Sequence, residues 1–141
     1  MMLSMSTIDT SPSATPDFMD MCYRAKRAEA FANVDGIRDA QLHYKEAFDM
    51  YVPCGSRAEA EATLRRGNPK AQRDWEVGTC WDTLGWAPDG KVRGAYWAEV
   101  SSEHEHLEVW GIIDIDGDGE FAVSMATDSL ETVLLSDKTI W

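Results

Sequence analysis

A chain of 141 residues is one domain by length and long enough to bury a real core. Its net charge of -12 argues against a nucleic-acid backbone as a partner, since phosphates need a basic face. That charge suits cations, a solvated surface or a partner with basic patches. No run of about twenty apolar residues exists to span a bilayer.

The first segment, MMLSMSTIDTSPSA, is polar and rich in Ser and Thr, without the basic and apolar parts of a signal peptide. Residues 1–14 read as a flexible tail or an expression remnant. A helix is expected over 15–51. Thr15 can cap it, Pro16 suits its first position, and Asp17 favours the positive end of its dipole. Ala30, Val34, Ile37, Gln41, Tyr44 and Phe48 recur every three or four residues and form one packing stripe. Val52-Pro53 stops the run. At about 1.5 Å per residue the rod would reach roughly 50 Å. That exceeds what a small domain covers, so one end projects or meets a partner.

Residues 52–91 read as a connector. Ser56 and Glu59 have capping-box spacing, which predicts a short helix over Ala58–Arg66 that Gly67-Asn68-Pro69 ends. Trp75 to Gly90 reads as a loop pinned to the domain by Trp75, Trp81 and Trp86. The six tryptophans also admit a sugar-binding platform. Of the three cysteines, Cys54 and Cys80 both lie in the connector. A bridge between them would close about 26 residues and stabilise by roughly 3 kcal/mol in an oxidising compartment. The alternative is three unrelated thiols, with Cys22 packing on the helix as a small hydrophobe.

Residues 92–141 read as a sheet. Val92, Tyr96, Ala98 and Val100 alternate with Arg93, Trp97 and Glu99. Leu107, Val109, Gly111 and Ile113 alternate with Glu108, Trp110 and Ile112. Phe121, Val123 and Met125 alternate with Ala122, Ser124 and Ala126, and Thr132–Trp141 forms a fourth strand or edge. Short connections favour an antiparallel meander. The fold class is therefore α+β: a long N-terminal amphipathic helix on a small antiparallel sheet of three to four strands, in a single domain over 15–141.

Asp114, Asp116, Asp118 and Gly119 fit the D-x-D-x-D-G opening of a calcium loop, because a hard cation wants several oxygens around a tight turn. Met125 stands where the twelfth, bidentate position needs glutamate, and the flanks read as strands, so an EF-hand is not expected. Two readings remain: an acidic hairpin turn, or a turn holding Ca2+ with Glu120 or Asp128 adding an oxygen. On a strand His104 and His106 would share a face but make an incomplete metal site, so the stretch Glu103–His106 reads first as an exposed strand entry. His43 reads as a surface residue beside the stripe. No nucleophile arrangement, P-loop or dinucleotide fingerprint is present, so no enzyme is expected.

The segment AKRAEAFANVDGIRDAQLHYKEAF, residues 25–48, resembles the helix of a type IV pilin or a type II secretion pseudopilin, including the Ala40, Gln41, Tyr44 step. WDTLGWAPDGKVRGAYW (81–97) and GIIDIDGDGEFAV (111–123) resemble the sheet-entry segment and next hairpin of bacterial pilins. The resemblance covers about residues 16–141 in segment order. It implies a structural filament subunit at the cell surface, with other pilin subunits as partners through Ala25, Ala28 and Ala32, and with adhesion, motility or DNA uptake as outputs. Calcium near the C-terminal sheet also occurs in some pilin-like proteins. The family's basic leader, processing site and apolar half-helix do not appear here. The chain therefore reads as a soluble headpiece without membrane contact, with Pro16 at the family's helix proline. The alternatives are a secretion pseudopilin or a free extracellular calcium- or carbohydrate-binding module.

Overall fold

The computed structural model describes residues 16–141; the expected tail and the Thr15 cap lie outside them. Helix α1 runs unbroken over Pro16–Phe48, α2 over Arg57–Arg65 and α3 over Cys80–Leu84. Strands β1 (Ala95–Val100), β2 (Leu107–Ile113), β3 (Ala122–Thr127) and β4 (Val133–Leu134) follow. They form one antiparallel sheet in the order β1-β2-β3-β4, with Val109 facing Ala98 on one side and Ala126 on the other. This is the expected α+β arrangement of a long helix on an antiparallel meander. No helix among the described residues is long and apolar enough to cross a membrane.

Ala30, Val34, Ile37 and Gln41 of the expected stripe are buried against the sheet. The stripe begins earlier than the apolar pattern suggests, because Arg27 is buried too. Its guanidinium donates to the carbonyls of Lys138 and Ile140 at 2.8 and 2.9 Å and lies over the Trp141 ring. Gly111 lets the helix approach: a Cβ there would stand 2.7 Å from Val34 and 2.9 Å from the Tyr96 ring.

Three expectations need correction. The helix ends at Phe48, not residue 51, because Asp49 turns to a left-handed φ of 59° and its N–H closes on the Lys45 carbonyl. Gln41 fixes the reversal that follows: its amide donates to Val52 O at 2.7 Å and accepts from Val52 N at 2.9 Å. Phe48 then falls past the sheet, 63% exposed, with its ring against Tyr44, which is itself half-buried. The fourth strand spans two residues rather than Thr132–Trp141. Beyond it, Ser136 holds Val123 N, and Trp141 packs on Tyr23.

The sheet is also covered on its second face. Ala60 and Leu64 of α2 close over Ala95, Trp97 and Ile112. Trp97 stacks on Trp110 at 5.7 Å, with the two planes 4° apart. Helix α2 starts one residue earlier than expected, and Ser56 caps it by accepting from Glu59 N at 3.2 Å. The expected loop over Trp75–Gly90 contains α3, which Thr79 caps at its start and Gly85 ends in the left-handed region.

Candidate metal centre

Strand β2 ends at Ile113 and β3 begins at Ala122, so the turn spans residues 114–121. Strands flank it on both sides and Met125 pairs within β3 opposite Trp110, which leaves no place for an EF-hand. Apolar Ile113 and Ile115, both buried, pull Asp114 inward between them, and Asp114 is only 2% exposed. Asp116 is half-buried and Asp118 exposed. Gly117 and Gly119, at φ 70° and 86°, let the chain curl around the carboxylates.

The curl aims backbone donors at the acids. Gly119 N donates to Asp114 Oδ2 at 3.0 Å, Asp118 N to Asp116 Oδ1 at 3.3 Å, and Glu120 N to Asp118 Oδ1 at 2.8 Å. One carboxylate oxygen each from Asp114, Asp116 and Asp118 lies within 4.8 Å of the others. Asp114 Oδ1 is buried with no hydrogen-bond partner. A buried oxygen left unpaired costs about 1–3 kcal/mol, and more for a charged group. The Asp116 carboxyl is pushed up from the ordinary aspartate value of 3.8 by partial burial, against the Asp118 N–H; the neighbouring carboxyls of Asp118 and Asp114 push the same way. Three hard oxygens, one of them orphaned, fit a divalent cation such as Ca2+, with carbonyls and water completing the shell.

Glu120 is exposed and its carboxylate stands outside the triad. Asp128 lies at the far end of β2, where it accepts from Leu107 N at 3.1 Å and faces His106 at 3.5 Å, so it cannot serve this site. Burial acts against the charge of Asp128, but those partners outweigh it and hold its carboxyl below the ordinary range. The strand on which His104 and His106 would share a face does not form there: Ser101–His106 makes a turn that leads into β2, with His104 at φ 60°. Cys54 and Cys80 are disulfide-bonded with their Cα atoms 5.6 Å apart, and Cys22 is free and half-buried on α1.

Several polar contacts that position the helix carry no motif. Glu29 accepts from Arg93 N, Gly94 N and the Tyr96 hydroxyl, each near 3.0 Å, which ties α1 to the start of β1. Burial, then Glu29, pushes the Tyr96 phenol well above its ordinary value and keeps it a donor. Arg38 donates to Thr127 O at 2.7 Å. Of these, only Gln41 was read in the stripe; Arg27 stands seven residues before Val34, a spacing that could have found it.

Comparison with known proteins finds no matching family model, no matching curated protein and no matching solved structure.

Proposed function

We propose that this chain is a structural subunit, the headpiece of a type IV pilin-like filament protein at the cell surface. The observation that carries the reading is the unbroken 33-residue helix. One stripe of it is locked to the sheet, while its opposite side exposes Met21, Ala25, Ala28, Phe31 and Ala32. The small residues admit close approach by a neighbouring helix, and the two large apolar ones give that neighbour surface to cover. A helix held to the fold from Arg27 to Gln41 suits passing load between subunits. This reading assigns no reaction to the domain.

The test is to shear surface filaments from the producing cells and label them with antibody raised against this domain. Regular labelling along the filament is the expected result. Labelling confined to the cell interior, or filaments unchanged after deletion of the gene, would overturn it.

The acidic turn favours a second reading, a secretion pseudopilin stabilised by calcium. The orphaned Asp114 oxygen is its support. Loss of protein export with surface filaments intact would select it.

A further inference from the structure

We propose that the cleft between α2 and residues 73–81 binds a neutral, hydroxyl-rich ring with the chemistry of a pyranose sugar. This goes beyond the filament reading and does not depend on it. The cleft holds about 370 Å³, near the lower end of small-molecule sites. Trp75, Trp81 and Tyr96 line it together with Ser56, Thr63 and Thr79. Aromatic faces beside hydroxyls suit a ring that is apolar on its C–H face and polar at its edge.

Charge argues for a neutral guest. Arg66 and Arg73 line the cleft together with Glu59, Asp74 and Glu76, so both signs are present. Most of these groups are already engaged. Arg73 donates to the carbonyls of Arg93 and Gly94, Glu59 accepts from Ser56 Oγ at 3.2 Å, and Asp74 faces Lys91. With basic and acidic side chains together on the lining, no field of one sign favours an ion.

The Trp75 indole N–H supplies an independent pointer. It is buried and has no hydrogen-bond partner among the described residues. Buried indole donors almost always find an acceptor. The Cys54–Cys80 disulfide forms part of the lining and holds two walls of the site in place before binding.

The test is an NMR titration of the nitrogen-labelled chain with methyl glucoside, methyl galactoside and N-acetylglucosamine, each alone, and with inorganic phosphate as the charged probe. At least one sugar should move the indole signals of Trp75 and Trp81 while leaving Trp110 in place. Trp75→Phe keeps a ring but removes the donor, and should weaken that response about tenfold. Thr63→Trp fills the cleft from α2 and should abolish it; if that variant fails to fold, Trp75→Phe decides. The proposal is overturned if no sugar moves these signals, if phosphate alone moves them, or if the response survives both substitutions.

Discussion

The two faces of the sheet are held by different means. On the α1 face, a continuous helix buries Ala30, Val34 and Ile37 and adds polar clamps from Arg27, Glu29, Arg38 and Gln41. The Cys54–Cys80 disulfide and the cluster of Trp75, Trp81 and Trp86 beside Tyr96 join that same core, whereas the other face is covered by Ala60 and Leu64 of the nine-residue α2. The first face is closed by packing and leaves no room for a methyl group at Gly111. The second is covered by a few side chains of one short helix, and a cavity remains beside that helix.

The largest effect should come from breaking the α1 face. Ile37 is fully buried, so Ile37→Ala should cost about 2–5 kcal/mol in denaturant unfolding, with the α1 face loosening as one unit. A cost under about 1 kcal/mol would mean that the helix is only loosely docked. Breaking the connector should cost less. The double substitution of Cys54 and Cys80 by Ala should remove about 3 kcal/mol. It should also open residues 73–81 to protease while α1 stays protected, because the released segment is held otherwise by side-chain packing. Equal loss of protection in α1 and in residues 73–81 would mean that the bridge holds the whole core together.

What the sequence made legible divides along the same line. The α1 face was readable because apolar residues at helical spacing and alternating strand residues state their partners directly. The helix end was missed by three residues. Asp49 turns the chain without glycine, and Tyr51 and Val52 look helical but serve the core after the turn. The second face had no assigned cover, since Glu99 and Glu108 share it with Trp97 and Ile112. Long-range cover by Ala60 and Leu64 leaves no periodic trace in the strands themselves. At the acidic turn, the three aspartates were legible as ligand types. The burial of Asp114 and its unpaired oxygen depend on the core around Ile115 and appear only in three dimensions.

That turn is where the two regions meet. Ile115 enters the α1-side core, and the Lys70 stem from the connector packs over Gly117. Metal bound there should therefore stiffen both. At calcium tenfold above its Kd, the chain should gain about 1.4 kcal/mol, read as a higher Tm that chelator reverses. Asp114→Asn should invert the ranking. With chelator present it should be at least as stable as the parent, because a buried unpaired charge has been removed, and with calcium it should fall behind. Protons compete for the same oxygens. The Asp116 carboxyl is raised, so in the metal-free protein its protonation favours the folded state as pH falls through that raised value. Calcium stabilisation should therefore fade on acidification already above the ordinary aspartate value of 3.8. A calcium effect that stays constant down to that pH, or that persists in Asp114→Asn, would place the ion elsewhere on this acidic surface.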